Sequence, residues 1–219
     1  MKLTVIGATG GIGRSILEQA VAAGHDVTAV ARDPSRVADG VRTAGVDLGA
    51  VSGQAAADLE AAVAGADAVL SGLGARHRSD AGVVAQGTRA LIRAMRDAGA
   101  RRLLVVSAAP VAAFRTPPQP DPGQGAILRH LAYPVLTRVL RGVYVDLGRT
   151  EDDLAASGLD WTAVRPPRLT NGPLTGTYRT AVDQSVRAGY TISRPDVAHL
   201  MLDLAGRPES AGHAVGCGY

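Results

Sequence analysis

A glycine-rich turn near the N-terminus constrains the fold of this chain more than any other segment. Residues 3–6 form a short apolar run, which predicts a buried strand, and the sequence GATGGIG follows directly at positions 7–13. Residues 12–23 carry apolar side chains at helical spacing, so a helix is predicted to begin inside the turn. A strand, a tight turn and a helix in this order present the free N–H groups of the helix N-terminus at one edge of a sheet, where they attract a phosphate. The alternative is a glycine-rich turn that binds no ligand.

The positions of the glycines favour a dinucleotide as the source of that phosphate. In nucleotide-binding folds the first glycine permits the turn, the second lets the backbone approach a diphosphate, and the third lets the helix pack closely on the strand. Gly7, Gly10 and Gly13 follow this order, although their spacing is G-x-x-G-x-x-G rather than G-x-G-x-x-G. The turn therefore predicts dinucleotide binding without identifying the dinucleotide.

Strand-like and helix-like segments alternate through the first 107 residues. The continuous apolar middle of 101–107 is typical of a strand buried on both faces. This alternation predicts an α/β fold, namely a Rossmann-like, doubly wound, mostly parallel sheet with helices on both faces and a small C-terminal extension on the substrate side. The other predicted strands are 26–31, 41–47, 67–70, 159–165, 178–182, 190–192 and an edge strand at 213–216, and the other predicted helices are a short one from Pro34, 58–64, 81–98, 127–140, 144–156 and one from 193 or 194 to about 205.

Composition excludes several other classes of function. The 23 lysines and arginines are spread along the chain, and with a formal net charge of +3 they do not predict nucleic-acid binding. No apolar run is long enough to span a membrane and no signal peptide precedes the first strand, so we expect a cytoplasmic protein. The single cysteine and the five histidines show no ligand spacing, which predicts that no metal is bound.

The length of 219 residues predicts one domain, 1–219. Within it, residues 110–125 contain five prolines and two glycines, and so predict a loop. A loop of this length is commonly a lid or part of a binding site.

Arginines follow the predicted second strand, where dinucleotide folds choose between their cofactors. An acidic residue at this place holds the two ribose hydroxyls of NAD, whereas an arginine holds the 2′-phosphate of NADP. Arg32 and Arg36 could bind that phosphate bidentately. Asp33 could select NAD instead, but Asp33-Pro34 also fits the N-cap and first position of a short helix. The pattern favours NADP, and a solvated turn is the alternative.

Further residues follow the third, fourth and fifth predicted strands at the same edge of the sheet. Asp47 and Leu48 are placed to border the adenine, although Asp47 could equally cap a turn or a helix. Gly74 and Arg76 come after the fourth strand, beside the point where strand order reverses and ligands bind. Ser107 ends the fifth strand, so its hydroxyl would lie near the nicotinamide; the alternative is a serine that caps a turn.

Several motifs together carry a resemblance to a known family. GATGGIG at 7–13, the turn at 32–36, RRLLVVSAA at 101–109 and SGLDWTAVRPP at 157–167 resemble the atypical short-chain dehydrogenase/reductases. Within them, the chain is similar to the NAD(P)H-binding group that contains biliverdin-IXβ reductase, also known as NADPH-flavin reductase. That likeness is carried by PLTGTY at 173–178 and by IS at 192–193, which leads into a helix with HLML at 199–202.

The resemblance implies an NADP-dependent reductase that is monomeric, with a homodimer as the alternative. The cofactor-binding residues that it implies are Gly7, Ala8, Thr9, Gly10, Gly11, Ile12, Arg32, Arg36, Asp47, Leu48, Gly74, Arg76 and Ser107.

The usual proton donor of short-chain reductases is missing from this sequence. Many members protonate a carbonyl oxygen with a Tyr-x-x-x-Lys pair on a helix, but the only lysine is Lys2, and Tyr133 and Tyr144 are followed four residues on by Thr137 and Gly148. A flavin or linear tetrapyrrole needs this donor less, because hydride addition leaves a delocalised anion that solvent can protonate. We therefore expect an NADPH-dependent oxidoreductase that transfers hydride to a flavin or a similar flat conjugated acceptor.

Ser107 is then the candidate catalytic residue, first as a ligand to the nicotinamide end and second as a proton relay. The alternative function is a non-catalytic NADP(H)-binding redox sensor that binds a protein partner. The acidic run 151–153 is expected on an exposed helix face near an N-terminus, and Trp161 in the core. Phe114 could stack on a flat substrate.

Overall fold

An eight-stranded sheet forms the centre of the protein in a computed structural model, which describes residues 1–74, 82–119, 121–123 and 140–219. The strands are β1 (Lys2–Ile6), β2 (Asp26–Ala31), β3 (Arg42–Gly45), β4 (Ala68–Ser71), β5 (Arg102–Val106), β6 (Asp160–Arg165), β7 (Arg168–Thr170), β8 (Arg179–Val182), β9 (Thr191–Ser193) and β10 (His213–Gly218). The α-helices are α1 (Gly11–Ala22), α2 (Gln54–Val63), α3 (Val83–Asp97), α4 (Arg141–Ala155) and α5 (Arg194–Ala205), and short 3₁₀ helices lie at Pro34–Arg36, Ala109–Phe114 and Pro208–Ser210.

The order of the strands confirms the predicted fold class. The central sheet runs β3-β2-β1-β4-β5-β6-β10-β8, and its neighbouring strands are parallel except for the antiparallel pair β10 and β8. Strand order reverses between β1 and β4, so their carboxyl ends leave a crevice of the kind in which α/β proteins bind ligands. β7 pairs with β9 in a separate two-stranded sheet beside this core.

The alternation of side chains along β1 explains how the two faces of the sheet are covered. Val5 packs with α1 and α5 on one face, and Ile6 packs with α2 and α3 on the other. Both side chains are fully buried, as are Ile16 of α1 and Met95 of α3. Each such side chain contributes about 1.5–3 kcal/mol through burial. Because both faces are covered, the central strands are apolar throughout, and this is why they were recognisable in the sequence.

The prediction of an edge strand at 213–216 is wrong. β10 lies between β6 and β8, and it pairs with both. Val215 and Cys217 of this strand are 3% and 2% exposed. The small apolar residues of this segment fit a strand covered on both sides, but which strands it pairs with is decided only when the sheet assembles.

Other element boundaries differ in smaller ways. α2 begins at Gln54 rather than at 58, because Gly53 adopts a positive φ of 52° just before it and the alanines that follow favour a helix. β7, a strand of three residues that directly follows two prolines, is not among the predicted strands. The predicted helix at 127–140 lies almost wholly outside the described residues.

The described part of the proline-rich segment contacts α4. Ala109–Phe114 forms a 3₁₀ helix whose Val111 is fully buried, and the N–H of Gln119 donates to the carbonyl oxygen of Ala112 at 2.8 Å. Residues 109–112 are therefore packed into the protein, whereas residues 116–119 are exposed, as the composition of a loop predicts. Nowhere in the described parts of the chain is there a helix long and apolar enough to cross a membrane.

Candidate functional site

The glycine-rich turn is held in place by its own backbone. Gly7 has a φ of +70°, a conformation that favours glycine, and its N–H donates to the carbonyl oxygen of Val30 at 2.9 Å. A Cβ at Gly13 would lie 2.2 Å from the carbonyl oxygen of Gly7, and a Cβ at Gly72 would lie 2.6 Å from the nitrogen of Gly13. Only glycine fits at these two contacts. The turn after β1, the first turn of α1 and the end of β4 therefore meet closely, beside the crevice.

A cavity of about 240 Å³ opens next to this turn, at the carboxyl edge of the sheet. Seven of the residues predicted to bind the cofactor line it: Gly7, Thr9, Gly10, Arg32, Asp47, Leu48 and Gly74. Gly72, Leu73 and Val83 also line the cavity and were not predicted. Gly72 could have been found as the small residue that follows a strand at the point where the order of strands reverses.

The other predicted residues lie around this cavity or elsewhere. Ala8 and Ile12 are 2% and 7% exposed and belong to the core, whereas Gly11 is exposed at the first residue of α1. Arg36 is exposed at the end of the 3₁₀ helix Pro34–Arg36 and does not line the cavity. Arg76 lies outside the described residues.

The turn after β2 places Arg32 at the cavity, and the carboxylate of Asp33 in the same turn is engaged elsewhere. The side chain of Asp33 accepts from the N–H of Ser35 at 3.2 Å and from its hydroxyl at 2.6 Å, and so caps the 3₁₀ helix. Throughout the described ranges, neither Arg32 nor Arg36 makes a side-chain hydrogen bond or ion pair. This turn therefore presents positive charge rather than a free carboxylate.

Asp47 has both of the roles that the sequence left open. Its Oδ1 accepts from the N–H of Gly49 at 3.1 Å, which stabilises a turn, and the residue also lines the cavity. Leu48 is 5% exposed and packs close to Gly87, where a Cβ would lie 3.1 Å from the Cβ of Leu48. The glycine at 87 thus lets α3 approach the wall of the cavity.

Ser107 is part of a buried charged cluster. Its Oγ donates to Oε1 of Glu151 at 2.6 Å, and Glu151 also accepts from Nε of Arg165 at 2.9 Å and from Nη2 at 2.5 Å. The three residues are 5%, 0% and 2% exposed. Burial alone would lower the pKa of Arg165, but the hydrogen bonds and charge of Glu151 outweigh it and raise that pKa. A hydroxyl whose hydrogen is bound by a carboxylate can only accept a further hydrogen bond at Oγ.

The expectation of an exposed acidic face at 151–153 is wrong. Glu151 lies in the C-terminal half of α4 and is fully buried, and Asp152 accepts from Nε of Arg115 at 2.9 Å. Asp153 pairs with Arg89 at the surface. A signal was present in the sequence, because Glu151 continues the helical spacing of the buried residues Tyr144, Leu147 and Leu154.

Phe114 is half-buried and packs on the protein's own side chains. Its ring stacks on that of Tyr144, with centroids 5.5 Å apart and an angle of 22° between the planes. Burial raises the pKa of the Tyr144 phenol. One face of the Phe114 ring is therefore occupied by Tyr144. Trp161, on β6, is 9% exposed and belongs to the core, as expected.

The family of the chain follows from its match to known proteins. Residues 7–208 match the model of a family described as NAD(P)H-binding. The chain belongs to this family. It is also 35% identical over 158 residues to the 3-diazoavenalumate denitrifying reductase of a Streptomyces species, a match that covers 60% of this chain and 49% of that protein. The chain thus spans about half the length of that reductase.

Solved structures of the same architecture support the fold. The oxidoreductase ylbE from Lactococcus lactis superposes with a TM-score of 0.79 at 22% identity, covering 100% of this chain and 90% of that one. A Streptococcus pneumoniae protein named as a candidate NADH-flavin reductase has a TM-score of 0.75 at 22% identity, covering 100% and 99%. At these identities the neighbours show that the fold is that of NAD(P)-binding Rossmann proteins.

The glycine turn and the cavity beside it fit NAD(P)H, the cofactor that members of this family bind. The glycine contacts let a diphosphate approach the backbone near Gly10, and the cavity between Arg32 and Leu48 has room and polarity for the adenosine half. When bound, NAD(P)H supplies a hydride from its nicotinamide ring.

Asp196 orders the loop that follows β7. Its carboxylate accepts from the N–H of Thr175 and of Gly176, both at 2.9 Å, and from the hydroxyl of Tyr219 at 2.5 Å. Burial would raise the pKa of Asp196, but these hydrogen bonds outweigh it and lower the pKa to about 2. The loop after β7 is therefore fixed to the start of α5 and to the C-terminus.

Proposed function

We propose that the protein is an NADPH-dependent reductase that transfers hydride to a flavin or a similar flat conjugated acceptor. The observation that carries this proposal is the hydrogen bond from Ser107 to Glu151, at 2.6 Å. Because the hydroxyl hydrogen of Ser107 is bound by Glu151, Oγ is arranged to accept a hydrogen bond from a ligand and not to donate a proton to it. Tyr144 is 7% exposed and stacked on Phe114, and Lys2 lies at the end of β1 opposite the glycine turn.

A hydride acceptor that needs no proton from the protein suits such a site. Hydride addition to a flavin or a linear tetrapyrrole forms a C–H or N–H bond and leaves the electron pair delocalised in the ring system, so water can supply the proton afterwards. The work of the protein is then to position the acceptor against the nicotinamide and to exclude water. In this proposal Oγ of Ser107 accepts a hydrogen bond from the nicotinamide carboxamide.

The preference for NADPH rests on the turn after β2. Arg32 lines the cavity, while the carboxylate of Asp33 caps the adjacent 3₁₀ helix. A guanidinium that has no acidic partner among the described residues, next to the adenosine pocket, is suited to a 2′-phosphate. Arg36, one turn further along, is exposed and free to share this role.

The Streptomyces relative suggests a second class of acceptor with the same requirement. Its name describes a reductase that acts on a diazo compound with loss of nitrogen. Hydride transfer to the ring carbon of an aryl diazonium forms a C–H bond as dinitrogen leaves with the C–N electron pair, and no proton is needed. An aryl diazonium is therefore included among the acceptors to be tested.

The first experiment follows the loss of NADPH absorbance with FMN, riboflavin, biliverdin and an aryl diazonium salt, each against a mixture without protein. We expect oxidation with at least one acceptor, and a slower rate when the transferred hydrogen of NADPH is replaced by deuterium. If the protein binds NADPH tightly but NADPH is not oxidised in any of these mixtures, the proposed reductase activity is contradicted. That result would favour the alternative, a redox sensor that binds NADP(H) and a protein partner without chemistry.

A further inference from the structure

The side chain of Arg194 lies across the first turn of α1. A Cβ added to Gly11 would lie 2.8 Å from Cδ and 2.9 Å from Nε of Arg194. Gly11 does not have a positive φ, so its backbone does not require glycine. The space that the arginine occupies accounts for the glycine at this position. The guanidinium at the start of α5 is thereby held against the N-terminus of α1.

The described residues contact one end of this guanidinium. Nη1 donates to the carbonyl oxygen of Thr170 at 3.2 Å and to Oδ1 of Asn171 at 2.5 Å. A guanidinium has five N–H donors. Within the part of the chain that the structure describes, Nε and Nη2 have no hydrogen-bond partner, and Nε is the atom beside Gly11. The open edge therefore lies at the helix N-terminus.

The position of the Arg194 guanidinium beside a helix N-terminus favours binding of an anion between them. The N-terminus of α1 is the positive end of its dipole, so an arginine beside it is repelled unless a negative group lies between them. Among the described residues Arg194 forms no ion pair, and nearby Asp196 is engaged by Thr175, Gly176 and Tyr219. The Nε–Nη2 edge of a guanidinium matches two oxygens of a phosphate.

We infer that Arg194 binds the diphosphate of NAD(P)H, opposite the N–H groups of the glycine turn. Because Nη1 holds Thr170 and Asn171, the same side chain connects the cofactor to the end of β7 on the substrate side. The inference depends on cofactor binding and not on the acceptor, so it stands or falls independently of turnover.

The test compares three ligands by calorimetric titration of the intact protein. Arg194→Met keeps the length of the stem and removes the donors, Arg194→Lys keeps the charge, and Arg168→Met removes an exposed arginine on β7 as a matched control. We expect Arg194→Met to weaken NADPH and NADH alike, each by about tenfold to a hundredfold. Binding of 2′-AMP, which has a 2′-phosphate but no diphosphate, should be unchanged, and Arg194→Lys should recover part of the loss.

Two results would overturn the inference. One is unchanged affinity for NADPH and NADH in folded Arg194→Met. The other is an equal loss for NADPH, NADH and 2′-AMP, which would mean that the substitution disturbs the whole site. If Arg194→Met does not fold, Gly11→Ala provides the second variant, because its methyl group displaces the arginine stem, and the same selective loss of the two dinucleotides is expected.

Discussion

Ser107 donates its hydroxyl hydrogen to Glu151, with 2.6 Å between Oγ and Oε1. The two residues are 44 positions apart in the sequence, one after β5 and the other on α4. Arg165 binds the same carboxylate from β6. The contact therefore orients the hydroxyl and joins three elements beneath the carboxyl edge of the sheet.

Replacing Glu151 by glutamine should destabilise the fold strongly. The substitution keeps the shape of the side chain but leaves the guanidinium of Arg165, which is 2% exposed, without its counter-charge. Breaking a buried ion pair in this way costs about 3–5 kcal/mol of the free energy of unfolding. Chemical denaturation of the two proteins measures this loss in the free energy of unfolding. The control is Asp153→Asn, whose surface pair with Arg89 should cost no more than about 1 kcal/mol. Equal effects of the two substitutions would contradict the structural role given to Glu151.

The substitution Ser107→Ala tests whether Ser107 accepts a hydrogen bond from the cofactor or relays a proton. If Oγ accepts from the carboxamide, the substitution removes one hydrogen bond and weakens NADPH by up to about tenfold. The pH dependence of kcat should stay the same, since no proton passes through the hydroxyl. Titration of NADPH and a pH profile of its oxidation measure the two quantities. Loss of turnover with an altered pH profile would instead identify Ser107 as the relay.

Arg32→Ala should discriminate between the two dinucleotides. Loss of a charged bidentate contact to the 2′-phosphate should weaken NADPH by about 1.5–3 kcal/mol, while NADH, which lacks that phosphate, should change little. Direct titration with both cofactors gives the difference. Arg36→Ala should weaken NADPH less than Arg32→Ala does, because Arg36 does not line the cavity and could only assist Arg32. An equal loss for NADPH and NADH would rule out Arg32 as the ligand of the 2′-phosphate.

Asp196 should make the stability of the fold sensitive to acid. Its pKa is about 2 in the folded protein, below the ordinary value of 3.8, so the unfolded chain binds a proton first as the pH falls. The stabilisation is fully present above about pH 4 and is lost as the pH falls through about 2; it amounts to about 2 kcal/mol. Denaturation at a series of pH values should show this decrease, and Asp196→Asn should flatten it. An unchanged slope in the variant would contradict the assignment.

Much of the fold and half of the site were predictable because their signals lie between neighbours in the chain. The apolar runs of the central strands, the glycines at 7, 10 and 13 and the Asp33-Pro34 cap each require only a few consecutive residues. The same holds for the residues that follow β1 to β4, because the carboxyl ends of parallel strands meet at one edge. Seven of the predicted residues consequently line one cavity.

Residues whose role depends on distant elements were missed or misjudged. Glu151 looks like one member of an exposed acidic run until α4 packs it against β5 and β6. β10 has the composition of an inner strand, yet its place between β6 and β8 is a matter of strand pairing. Arg194 is 183 positions from Gly11, and only the packing of α5 on α1 brings them together.

The sequence by itself therefore determined the strand, turn and helix that carry the glycine motif, since steric limits and hydrophobic periodicity act along the chain. Tertiary structure alone decided which charges are buried together and which arginine reaches the helix N-terminus. The physical reason is that ion pairs and close glycine contacts depend on distances between separate elements, and these distances exist only after the sheet has assembled and its helices have packed.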